Sequence, residues 1–129
     1  MLQTFFRLAV YSPISETDDR SSSDVVSTNA VQTLLRVFRK YDFTGSVGTY
    51  NAVIEISRGT ETFVPAQDSS PAQGSVNVPT NVVSARLVTY IPTTTTREEL
   101  DTLIEDIISA HPWEHPVLEV DHVSLWMPS

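Results

Sequence analysis

Apolar positions along the chain repeat with two different spacings, and the alternation between them predicts the order of elements. Residues 5–11 (FFRLAVY) crowd aromatic and β-branched side chains together and stop at Ser12-Pro13, which predicts a strand in the middle of a sheet. Residues 14–24 are polar, carry Ser21-Ser22-Ser23 among several acids, and read as a loop. Val31, Leu34, Leu35 and Phe38 then fall at i, i+3, i+4 and i+7, one stripe of a helix that starts near Ser27 or Thr28. Arg36, Arg39 and Lys40 sit in its last turns, where cations complement the helix dipole and a solvated helix end accounts for them. Thr44-Gly45-Ser46-Val47-Gly48 turns the chain into residues 50–57 (YNAVIEIS), which read as a strand. Arg58-Gly59-Thr60 is expected to turn that strand into a short partner, residues 61–64, ending at Pro65.

Residues 66–81 hold Pro71, Gly74 and Pro79 among small polar residues, a long loop inside one domain. Residues 82–91 (VVSARLVTYI) form a third strand, stopped by Pro92. Thr96 followed by Glu99 makes a capping box, and Leu100, Leu103, Ile104, Ile107 and Ile108 make the stripe of a second helix. Glu98, Asp101, Glu105 and Asp106 are assigned to its solvated face. Pro112 disfavours helical geometry at His111, so the helix should finish there, and residues 117–126 make the last strand.

The order is β-α-β-β-α-β, with the second strand elaborated by a hairpin. Right-handed crossovers put both helices on one face of an antiparallel sheet, giving a ferredoxin-like α+β sandwich as a single domain over 1–129. The other face of the sheet has no helix to cover it. Val53, Val88 and Tyr90 are expected to stay partly exposed there unless sister copies pack on them, which predicts a homo-oligomer.

Charge and composition narrow the function. The chain has 129 residues and a net charge of −8, which argues against nucleic acid and anionic membrane surfaces as partners, since both require clustered Lys and Arg. It has no cysteine, so disulfides, thiolate metal sites and thiol nucleophiles are excluded. Neither a signal-peptide pattern nor a bilayer-length apolar run is present in the sequence, and a cytoplasmic location is the expectation. No phosphate-binding glycine loop, Rossmann glycine pattern or serine nucleophile elbow occurs.

Candidate chemistry concentrates in Ala110-His111-Pro112-Trp113-Glu114-His115-Pro116, which holds two of the three histidines and one of the two tryptophans. Three readings of it stand. It is a packed corner, with His111 hydrogen-bonded to backbone and Trp113 against a helix. It is a divalent-metal site, with His111 and His115 joined by Glu114, Asp121 or His122; the two prolines spoil the helical i, i+4 geometry, and Asp121 and His122 point to opposite faces of a strand. Or it is an acid–base site, in which His111 or His115 moves a proton and Glu114 orients it, with Tyr50 and Arg86 binding a carbonyl or carboxylate. Such a site suits isomerisation, cyclisation or dehydration without a cofactor.

Four motifs in order carry a family resemblance: Gly45-Ser46-Val47-Gly48-Thr49-Tyr50, Gly59-Thr60-Glu61-Thr62-Phe63-Val64-Pro65, Pro71 with Gly74, and Ala110-His111-Pro112-Trp113-Glu114. Over about two thirds of its length the chain resembles the PII-like/CutA-like domain inserted in YqfO-type (NGG1-interacting-factor-like) proteins. The resemblance implies a ferredoxin-like domain that trimerises, a stand-alone oligomeric and regulatory module holding a small ligand or ion in clefts between subunits. The two-metal site of the larger proteins belongs to the surrounding domain and is not carried over. Where the family has a second carboxylate after the aromatic residue, this chain has His115. Tyr50, Arg86 and Trp113 are the expected ligand-binding residues, and His111, Glu114 and His115 the expected catalytic ones.

Overall fold

The structure, a computed structural model, describes residues 1–14 and 25–128; the polar loop expected over 15–24 therefore lies outside the described residues. Strand β1 (Leu2–Pro13) leads through a 3-10 turn (Val25–Ser27) to helix α1 (Asn29–Arg39), then come β2 (Ile54–Phe63), β3 (Thr80–Pro92), helix α2 (Arg97–Ala110) and β4 (Leu118–Trp126). The sheet order is β2-β3-β1-β4 and every neighbouring pair is antiparallel. This is the ferredoxin-like α+β arrangement the periodicities predict.

Central position explains the composition of β1. Its even-numbered residues Leu8 and Val10 are fully buried under the helices with Leu34, Phe38, Leu87, Leu103 and Ile107. Phe5 and Ala9 point the other way and are buried as well. A strand hydrogen-bonded on both sides and largely covered on both faces leaves little room for polar residues, and between Phe5 and Tyr11 only Arg7, ion-paired with Asp121, interrupts the apolar run.

Only α2 begins with a side-chain cap. Thr96 closes the capping box on α2, its hydroxyl accepting from the Glu99 amide at 3.1 Å while the Glu99 carboxylate accepts from the Thr96 amide at 3.0 Å. The Thr96 amide, and its hydroxyl donating to Glu99 Oε1 at 3.0 Å, hold the Glu99 carboxyl below its ordinary value. Thr28 precedes α1 with extended backbone, but its hydroxyl donates to Val25 O instead of capping the helix. Asp106 is more than a solvated acid of α2. The Tyr41 hydroxyl (2.9 Å) and Lys40 Nζ (3.2 Å) both donate to its Oδ2, tying the end of α1 to α2 and holding the Asp106 carboxyl below its usual range. On the α2 stripe Leu100, Leu103 and Ile107 are buried and Ile104 packs on the core, whereas Ile108 stays exposed.

Three expectations change. The strand expected over 50–57 begins only at Ile54, residues 50–53 belonging to the segment before it. The turn at Arg58-Gly59-Thr60 is absent: β2 runs unbroken through it, pairing Arg58 with Ala85, Gly59 with Ser84 and Thr60 with Val83. Gly59 lies on the sheet edge, where nothing would meet a side chain. The missing side chain there leaves no core gap, and the edge strand tolerates it.

The face away from the helices is also less bare than expected. At one end the 44–53 segment reaches from the β2 edge toward the far edge, where Gly48 lies against the Met127 methyl group. Gly45 makes this path possible: its φ is +65°, its amide donates to Tyr90 O at 2.9 Å, and a Cβ there would fall 2.3 Å from Val53 N. Val88 is buried, Tyr90 is half-buried with its ring edge-on to Phe5, and Val53 alone of the three is exposed. Across the middle the face is polar and ion-paired, with Arg7 on Asp121 at 2.9 Å and Arg86 near Glu119 at 3.7 Å. No helix among the described residues is long and apolar enough to cross a membrane.

Candidate functional site

At the other end of that same face, the 111–117 corner and the 64–79 loop fold over the sheet. Pro112 forces His111 out of helical geometry, to φ −75° and ψ 136°, so α2 stops and the chain turns back across the end of β1. His111 is buried. Its Nδ1 accepts from the Trp113 amide at 3.1 Å, so the ring proton resides on Nε2, which donates to Tyr11 O. Both ring nitrogens are thereby used. Burial pushes the His111 imidazole below its ordinary value, against the opposing pull of the Tyr11 carbonyl and the Glu61 charge. His111 is a neutral tie between the corner and β1.

The next two residues of the motif reach from the corner to the loop. Trp113 packs its indole against His111, ring centroids 5.1 Å apart, and donates from Nε1 to Gln73 Oε1 at 2.8 Å. Both carboxylate oxygens of Glu114 accept from the Ser70 amide, each at 3.0 Å. The loop is shaped to meet them. Asn77 N donates to Pro65 O at 2.7 Å, closing its base, and Gly74 takes φ +83° where a Cβ would strike the Thr80 hydroxyl at 2.4 Å.

Between the corner, the loop and the sheet lies a cavity of ≈ 550 Å³, in the size range of sites that enclose small organic molecules. Alternation along the strands supplies its floor: Tyr11 on β1, Glu61 and Phe63 on β2 and Glu119 on β4 all project from the face away from the helices. Pro65, Ala66, Pro71, Ala72 and Gln73 form the loop wall, and Trp113, Glu114, His115 and Val117 the corner wall.

The structure gathers some of the expected site residues and separates others. Trp113, Glu114 and His115 line the cavity, with His115 Nε2 3.8 Å from Glu114 Oε1 and its side chain 84% exposed. His111 is not in the lining. Arg86 stands beside the cavity through Glu119, while Tyr50, 73% exposed, belongs to the 44–53 segment at the other end. Of the residues considered as metal ligands, Asp121 is paired with Arg7, and His122 packs edge-on to Phe6, ring centroids 4.7 Å apart, on the helix side of the sheet. Among the described residues no three His, Asp or Glu side chains converge to hold a metal ion. Glu61 and Phe63 belong to the Gly59–Pro65 motif but were not among the expected site residues, and neither was Gln73, which lies between Pro71 and Gly74. The signal that could have found Glu61 and Phe63 is parity, since both share a sheet face with Arg86.

No family model and no curated protein matches the chain. Among solved structures, that of a Bacillus cereus protein related to NIF3 matches with a TM-score of 0.64 at 19% identity, covering 95% of this chain and 26% of that one. The chain thus spans about a quarter of that protein's length. At this identity the likeness shows a shared fold: the β-α-β-β-α-β sandwich found here recurs within a NIF3-related protein.

Proposed function

We propose that this chain is a PII/CutA-like module that binds a small organic ligand in the cavity between the 64–79 loop and the 111–117 corner. One observation carries the reading: the motif residues His111, Trp113 and Glu114 are spent on holding the cavity's walls in place. A motif committed to a cavity's geometry fits a binding function, because pre-formed walls lower the ordering cost of taking up a ligand. The homo-oligomer implied by the family resemblance, a trimer, is proposed with it. Two long edge strands, β2 and β4, and the exposed Leu2–Trp126 pair leave surface for other copies, and native mass measurement decides the number.

The alternative, a cofactor-free acid–base enzyme, would use His115 and Glu114. Both Glu114 oxygens already accept the Ser70 amide and His115 stands largely in solvent, which favours binding over catalysis. The test is saturation-transfer NMR with a set of small fragments of mixed charge, repeated on Ala72→Trp, which fills the cavity. The proposal expects fragments that bind the native protein and are lost in the variant. Fragments that bind both proteins equally, or none that binds either, count against it.

A further inference from the structure

The cavity's chemistry is lopsided. Its lining includes the carboxylates Glu61, Asp68, Glu114 and Glu119, and among the described residues no Lys or Arg joins them. Two of the four are answered from outside: Glu114 by the Ser70 amide and Glu119 by Arg86. Glu61 is not. Its Oε1 is buried and has no hydrogen-bond partner among the described residues. A buried carboxylate oxygen without a donor is costly, and a charged donor beside it relieves that cost. Most of the remaining surface is apolar and aromatic, with Phe63, Pro65, Pro71 and the rings of Tyr11 and Trp113, while Ser69, Gln73 and the solvent-exposed His115 beside Glu114 complete it. Aromatic faces attract cations through their quadrupole, most strongly where water is thinned out. The carboxylates do not converge, since no three of them could hold one metal ion. Their charge is spread over the floor, the loop and the corner, which suits an extended molecule better than a point ion.

We infer that the cavity selects organic cations, molecules carrying an ammonium or similar group on an apolar body of about one aromatic ring, with the charge set against Glu61 and the body between Phe63 and Trp113. This rests on the reading of the cavity as the ligand site. An acidic small molecule would meet repulsion from the same carboxylates.

A matched trio of probes separates the two ideas: phenethylamine, phenethyl alcohol and hydrocinnamate differ mainly in the charge of the group at the end of one phenethyl body. Binding is followed by the Trp113 indole and Ser70 amide signals in proton–nitrogen correlation spectra at low salt. The expected result is binding of the amine about tenfold or more tighter than the alcohol, a fold-change equal to about 1.4 kcal/mol. The preference should shrink in added salt and in Glu61→Gln, with the alcohol unaffected by the substitution. Equal or tighter binding of the alcohol or the carboxylate overturns the charge preference and leaves the cavity reading intact. If none of the three moves either signal, both fall. An amine preference that survives intact in Glu61→Gln also overturns the inference, because the charge then acts from elsewhere.

Discussion

Replacing His111 by Ala removes the tie between the corner and β1. Two hydrogen bonds are lost, one to Tyr11 O and one from the Trp113 amide. Each contributes about 0.5–1.5 kcal/mol net, and the tilted imidazole–indole contact adds about 0.5–1 kcal/mol. The site is buried, so the partners left behind are only partly rescued by water. The sum is about 1.5–4 kcal/mol, which for a domain of this size lowers Tm by about 6–16 °C. Scanning calorimetry at neutral pH measures it. The comparison is His115→Ala, which removes a largely solvent-exposed side chain and should leave Tm within about 2 °C. If His111→Ala melts with the native protein, His111 is not the tie. If His115→Ala is the more damaging of the two, the assignment of inner and outer histidine is reversed.

Acid should act through the same group. Burial keeps the folded His111 below its ordinary value of 6.5, so the unfolded chain takes up the proton more readily. Its contribution is complete above that value and is lost as pH falls below it; the stability gap between native protein and His111→Ala should therefore narrow from pH 7 toward pH 5. Gly45→Ala forces a side chain into left-handed backbone and into Val53, and should cost more than about 2 kcal/mol in denaturant unfolding, whereas Gly59→Ala on the open edge should cost less than about 0.5. Trp113→Phe keeps the ring but drops the donor to Gln73, and should weaken stability by about 1 kcal/mol while raising the hydrogen-exchange rate of loop amides around residue 73.

Much of the fold could be read from local signals because those signals are local in cause. Pro13 and Pro92 end strands, Thr96 with Glu99 starts a helix, and Pro112 stops it, each through one residue's own geometry. β2 resisted because Arg58-Gly59-Thr60 has the composition of a turn. What keeps it extended is pairing with β3 along the whole strand, which no window of β2 contains. The covering of Phe5, Ala9 and Val88 was hidden for a similar reason: it comes from segments distant in sequence. In the site, the sequence left a packed corner with His111 on backbone, a metal site and an acid–base pair all open, and the structure has the backbone bond of the first. Pro112 sends His111 inward and leaves His115 outside, a division set by burial. The loop wall was the least legible part, since Ala66, Ala72 and Gln73 contribute shape and one acceptor and carry no reactive group.

The most direct test that the corner and the loop hold the cavity between them is amide hydrogen exchange at Ser70 and at the Trp113 backbone, followed in the native protein and in His111→Ala. Ser70 and Trp113 should be slowed together in the native protein, because Glu114 and His111 accept their protons, and should be released together in the variant. A Ser70 amide that exchanges freely in the native protein, or stays slow after His111 is gone, would show that corner and loop are independent and that nothing fixes the cavity between them.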